Sequence, residues 1–171
     1  MYAIGWIILG WIGYLCCNAF HTRIGFEYVI PDFAIIIVAF IALRRNMLAL
    51  VWVTFCLGYI AGRQALAPTG LHESAMTLAG LSIYFALGHL TLDNRFFFAF
   101  LSGVAVITYH LFLFSISWSF AEYTHFSSWA TAMLFPAGLA TAGFALLGYP
   151  FLRWIDYRIS SEAQEVFLSW R

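Results

Sequence analysis

Leu57-Gly58-Tyr59-Ile60-Ala61-Gly62-Arg63-Gln64-Ala65-Leu66-Ala67-Pro68-Thr69-Gly70-Leu71-His72-Glu73-Ser74 is the stretch that decides how this chain folds. It opens as the end of an apolar helix that carries Gly58 and Gly62 four residues apart. It then meets Arg63, breaks at Pro68-Thr69-Gly70, and resumes as a second apolar helix near Glu73. Glycines at that spacing share one helix face and let a neighbouring backbone come close, the usual basis of helix association in lipid, where no burial from water drives contact. The chain therefore turns back on itself at a polar corner between two closely packed helices.

Outward from this corner the whole chain is apolar. Of 171 residues 63% are hydrophobic and only 9% are charged, with a mean hydropathy of +0.86. A water-facing domain carries roughly 25% charged residues, so the surface expected here is one that faces a lipid bilayer. The net charge is zero, and no basic field points to nucleic acid. All eight basic residues are arginines and none precedes Arg23, so the first apolar run reads as a retained span rather than a secretory leader. Cys16, Cys17 and Cys56 lie inside apolar runs. As packing residues, they lack the C-x-x-C spacing of a metal site.

Six apolar runs follow one another: 2–20, a second whose uninterrupted part is 33–43, then 47–62, 75–90, 96–120 and 129–155. A crossing takes roughly 20 residues. The second run would rise only about 16 Å as a helix, so either the bilayer thins there or the segment before Asp32 re-enters. The expected fold is all-α: a polytopic membrane domain of about six transmembrane helices over 1–158, followed by a short amphipathic cytoplasmic tail over 159–171. Asp93-Asn94-Arg95 reads as a tight turn with capping side chains. With six spans, Arg44, Arg45, Arg95, Arg153, Arg158 and Arg171 share one side, against Arg23 and Arg63 on the other. The excess of positive charge in cytoplasmic loops then places both termini in the cytoplasm. Trp6, Trp118, Trp129 and Trp154 stand near run ends as interfacial anchors are expected to.

Polar residues within such a chain are few, and each has two readings. Asp32, after Pro31, is either the N-cap of the second helix or the partner of Arg63, since both stand at the non-cytoplasmic ends of their spans. His89 and His110 are separated by roughly 20 Å of helix rise, too far for two ligands of one haem, and His110 reads as a polar contact between helices. Glu122 and His125 read as a solvated loop. No nucleophile elbow, no H-E-x-x-H and no pair of acids within a span is present, so no enzymatic chemistry, metal or cofactor is expected. Pro136 precedes a face of small residues from Ala137 to Ala145 that packs closely against a helix of this chain or another protein. In the tail, Ser161 and Gln164 form a capping-box start, and Ala163, Val166, Phe167 and Trp170 recur on one face. Acidic Glu162 and Glu165 flank that face. This favours a protein groove over an anionic lipid surface.

Pro31-Asp32 opening a short second span, the glycine-bearing third span running into Pro68-Thr69-Gly70-Leu71-His72, and Pro136 leading through small residues to Tyr149-Pro150-Phe151-Leu152-Arg153 together resemble the MreD family of bacterial rod-shape-determining membrane proteins. The resemblance covers nearly the whole chain, on short and degenerate motifs. It implies a non-enzymatic scaffold of the cell-elongation machinery in the bacterial cytoplasmic membrane. Such a scaffold binds an MreC-like protein and helps couple the MreB filament to the transpeptidase and glycosyltransferase that build peptidoglycan. It also implies a fold similar to the six-helix substrate-binding subunits of energy-coupling-factor vitamin transporters, and hence an alternative, a small-molecule binding transport subunit. Pro31, Asp32, Gly58, Gly62, Arg63, Pro68, Gly70, Pro136, Phe167 and Trp170 are the residues expected to serve structure or partner binding. One departure stands out: family members often carry an acidic residue eight positions before the loop glycine, where this chain has Gly62. Asp32 is the local candidate to supply that charge.

Overall fold

The computed structural model describes residues 2–24, 31–44, 46–65, 67–87, 94–119 and 128–169; at 2, 17–24, 87, 119, 128–133 and 159–169 it describes the backbone alone. Six helices make up this part of the chain: α1 (Tyr2–Ile24), α2 (Phe33–Arg44), α3 (Met47–Gln64), α4 (Leu71–Leu87), α5 (Arg95–Ser119) and α6 (Ser128–Ser169). Among the described residues, three stretches are long and apolar enough to cross a membrane, Met47–Gln64, Arg95–Trp118 and Leu134–Arg158, with Ala3–Cys16 and Phe33–Arg44 as shorter apolar helices.

The short second helix is the axis of the fold. From Ala34 to Ala42 every residue is apolar, and every one is buried. A helix that is apolar all round has no face to give to water and belongs in the interior. α1, α3, α4, α5 and α6 all pack against it, and along that series each helix also packs on the next. α2 is thus a short helix packed on all sides within the fold, and the segment at 25–30 before it lies outside the described residues.

The outer faces of the surrounding helices are as apolar as their inner ones. Trp11, Leu48, Trp52, Phe100, Leu139 and Leu147 are all exposed. An apolar exterior this extensive suits a lipid solvent. The hydroxyls agree: Ser82, Thr108 and Ser115, on exposed faces, donate to the carbonyl four residues earlier in their own helices at 2.8, 2.9 and 2.8 Å. Such bonds satisfy a hydroxyl where no water is available.

Helix boundaries follow local chemistry. Asn94 caps α5, its Oδ1 accepting from Phe96 N–H at 2.9 Å, as the turn reading expects; Asp93 lies outside the described residues. Gly70, with φ of +96°, ends the loop in the left-handed region that glycine alone enters freely. α4 starts directly after it, earlier than the apolar run suggests, because Glu73 reaches back and its Oε2 accepts from Gly70 N–H at 2.9 Å.

Three expectations change. Trp6 is no interfacial anchor: it is 1% exposed and packs on Phe40 with ring centroids 5.2 Å apart, whereas Trp118 and Trp154 are exposed as anchors should be. Pro136 and Pro150 both lie inside one continuous α6, and the helix runs on to Ser169 instead of restarting at Ser161. Phe167 belongs to that extension, and Trp170 lies outside the described residues.

Candidate functional site

Gly58 explains why the polar corner is so tight. A Cβ at this position would lie 2.6 Å from the Cα of Glu73 and 2.8 Å from the carbonyl oxygen of His72. The first turn of α4 therefore sits directly on α3, and the glycine face is used within the chain. Gly62, one turn further on, leaves room for the His72 side chain, whose Cβ and Cδ2 would be 3.4 and 3.6 Å from an added Cβ. Held there, His72 places its Nδ1 2.5 Å from the hydroxyl of Tyr109 on α5. Three helices are thereby joined through one imidazole.

Asp32 stands at the same level on the central helix. Its Oδ1 accepts from Ile35 N–H at 3.1 Å, the N-cap reading, and its own N–H donates to Thr141 Oγ1 of α6 at 3.1 Å. The alternative reading fails: Arg63 is exposed, and among the described residues no ion pair joins it to Asp32. Capping turns the Asp32 carboxylate toward its own first turn, and the backbone of Asp32 is tied to α6 rather than to α3.

His110 completes the group. Its Nδ1 lies 2.9 Å from the carbonyl of Val106. A carbonyl can only accept, so Nδ1 carries the hydrogen, and in the neutral ring Nε2 is an acceptor. The bond stays within α5, where an interhelical contact was expected. His110 is nevertheless within electrostatic reach of Asp32 and His72, and Tyr109 within reach of Asp32, Tyr14 and Glu73. His89 and the Glu122 to His125 loop lie outside the described residues.

Glu73 is 5% exposed. Its Oε2 would lie 3.7 Å from a Cβ at Gly62. Glu73 of α4 thus sets a carboxylate beside Gly62 of α3. Sequence reasoning missed Tyr109 and Thr141 altogether. The only signal was a Tyr-His pair and a threonine inside apolar helices.

The opposite end of α2 is built differently. Arg44 Nη1 lies 3.5 Å from Asp156 Oδ2, and Arg44 Nη2 donates to the Tyr149 hydroxyl at 3.4 Å, both on α6. The guanidinium also stands over the Phe40 ring, 5.4 Å from its centroid. Phe40, Phe98 and Tyr149 then continue as an aromatic chain with centroids 5.9 and 5.2 Å apart.

Pro31 and Pro68 frame the polar level at the start of α2 and before α4. Pro136 lies above it on α6, where Gly138 and Gly103 of α5 approach each other closely enough that a Cβ on either would lie 3.0 to 3.3 Å from the other's carbonyl oxygen. Part of the small-residue face is therefore used inside the chain. Gly143 and Gly148 have nothing within 4 Å. No group of three or more potential metal ligands occurs among the described residues. No family model, curated protein or solved structure matches the chain.

Proposed function

We infer that this chain is a non-enzymatic, multi-pass scaffold of the bacterial cytoplasmic membrane, of the rod-shape-determining kind. It presents six helices with both termini in the cytoplasm, binds an MreC-like protein, and helps couple the MreB filament to peptidoglycan synthases. The observation that carries this reading is the short apolar helix opened by Pro31-Asp32 and packed among the other five, one of the three features on which the resemblance to the MreD family rests. The apolar exterior and the chemistry-poor composition support it. The C-terminal end of α6, with Phe167 and Trp170, is the proposed cytoplasmic contact.

The test has two parts. Reporter fusions to both termini should be active only in the cytoplasm; a C-terminal fusion active only outside it removes the six-span topology. Co-purification with an MreC-like partner from cells expressing both proteins should persist in the intact chain and weaken on F167S/W170S at unchanged membrane levels. Absence of any such partner from the intact chain overturns the scaffold reading.

A second reading, a small-molecule binding subunit of a transporter, is favoured by one observation: Asp32, His72, Glu73, Tyr109 and His110 gather at one level of the fold.

A further inference from the structure

α5 and α6 run antiparallel, and two contacts fix their register. Near the middle, a Cβ on Gly103 would lie 3.0 Å from the carbonyl oxygen of Gly138 and 3.3 Å from the Cβ of Ala142. Towards the Arg44 end, the ring centroids of Phe98 and Tyr149 are 5.2 Å apart. One further turn brings Arg95, at the start of α5, level with Arg153 on α6. Both stand at the seam between the two helices. Spaced by seven and four residues, Arg153 continues the flank through which Ala142 and Tyr149 meet α5. Phe96 likewise continues the flank through which Gly103 and Ile107 meet α6, and the Arg95 guanidinium lies over its ring, 5.1 Å from the centroid.

From this mouth the seam opens outward as an apolar trough. Phe96 and Phe100 on the α5 side are 61% and 66% exposed, and Leu139 and Leu147 on the α6 side are 74% and 77% exposed. Between the two leucines α6 is bare: Gly143 is exposed and has nothing within 4 Å of its Cβ position. From Arg153 to Gly143 the rise is about 15 Å, the depth of one leaflet in a hydrocarbon layer about 30 Å thick.

The charge at the mouth decides what suits it. Asp156 is the one acidic side chain described at this end, and its Oδ2 faces Arg44 on the inner side of α6. Including the residues outside the description, the sequence places Arg44, Arg45, Arg95, Arg153 and Arg158 at these span ends against Asp93 and Asp156. Glu162 and Glu165 come about 14 and 18 Å beyond Arg153 along α6. The excess is positive, and guanidinium groups match phosphate oxygens in geometry as well as in sign.

We propose that the outer seam of α5 and α6 holds one anionic phospholipid, its phosphate between Arg95 and Arg153 and one acyl chain lying over Phe96, Phe100 and Gly143. The inference rests on the membrane placement in the reading above and not on the scaffold partners.

The test is native mass spectrometry of the full chain in a neutral detergent, titrated with dioleoyl phosphatidylglycerol or with dioleoyl phosphatidylcholine, which has the same chains and no net charge. The first anionic lipid should bind about thirty-fold more tightly, the worth of two arginines at an anionic surface. R95Q/R153Q should bring the two lipids to equal affinity. R95K/R153K, which keeps both charges, should retain most of the preference, and so should R63Q, which removes an exposed arginine at the other end of the fold. Glycerol phosphate, a headgroup without chains, should not displace the lipid at equal concentration. Equal affinity for the two lipids in the unaltered chain would overturn the proposal, as would a preference that survives R95Q/R153Q or falls as far in R63Q. Displacement by glycerol phosphate would overturn the acyl-chain trough. Binding of neither lipid would overturn the proposal and the membrane reading together.

Discussion

The two ends of α2 make contrasting uses of α6. At the Arg44 end a full charge meets a full charge: the guanidinium faces Asp156, takes the Tyr149 hydroxyl as a second acceptor and covers the Phe40 ring. At the Asp32 end the link to α6 is one neutral hydrogen bond, and the carboxylate is given to its own helix. One end is held by an ion pair, and the other by a helix cap and a neutral hydrogen bond. Both ends are needed to hold a helix too short to span lipid. The two ends of a single helix are thus held by different means, which is why substitutions at them should differ in kind.

The largest effect is expected where neither end can adapt. Gly58→Leu drives a side chain into the α4 backbone under the Asp32 end, a clash that a rotamer change cannot relieve. The cost should reach about 3 kcal/mol or more, read as loss of folded protein in chromatography and thermal melts. Gly143→Leu, with nothing within 4 Å of its Cβ position, is the matched control and should stay within about 0.5 kcal/mol. Equal damage from both would show that the α3 to α4 contact is not specific.

Next comes the charged end. Arg44→Ala leaves Asp156 in a nearly buried position without its guanidinium. Full burial would cost about 3–5 kcal/mol, but Arg44 is 28% exposed, so about 1–3 kcal/mol is expected. A double-mutant cycle with Asp156→Asn measures the pair. A coupling indistinguishable from zero would show that the ion pair itself contributes nothing to stability.

At the Asp32 end the changes should be smaller and graded. Asp32→Ala removes a cap and should cost about 1 kcal/mol, whereas Asp32→Asn should be close to neutral. If Asp32→Asn proves as damaging as Asp32→Ala, the charge itself stabilises the fold, and the distinction between the two ends disappears. Smallest of all, Arg63→Ala should alter stability by less than about 0.5 kcal/mol, since Arg63 is exposed and does not reach Asp32.

Much of this architecture is legible in the chain. Six apolar segments, the Gly70 turn, the Asn94 and Asp32 caps and the close approach at Gly58 each follow from residues a few positions apart. The central place of α2 was signalled too, by nine successive apolar residues without a polar face. Judged by length alone, however, the segment reads as a defective span. The candidate site is another matter. Its defining contacts join residues 37 and 109 positions apart, and no local pattern carries such pairings. His72 read as part of the corner before the fourth segment and Glu73 as the start of its helix, and Tyr109 looked like one more aromatic in an apolar run. The Asp32 and Arg63 pairing failed for a related reason: two charges at similar depth need not face each other, and an N-cap bond available at once within the same turn takes precedence over a distant partner.

The bond from Asp32 to Thr141 and the contacts of Arg44 with Tyr149 and Asp156 also bear on the order of synthesis. Ribosomes deliver α2 well before α6. The hydrogen bonds and the ion pair described between the two ends of α2 and other helices run to α6. Until α6 has been made, the second segment sits in the membrane or at its translocation machinery without those ties to α6. Assembly of the centre therefore waits on the C-terminal helix. A nascent chain arrested before residue 128 would carry all of the buried apolar core except Ala145, Tyr149 and Leu152 and still lack the element that secures its axis.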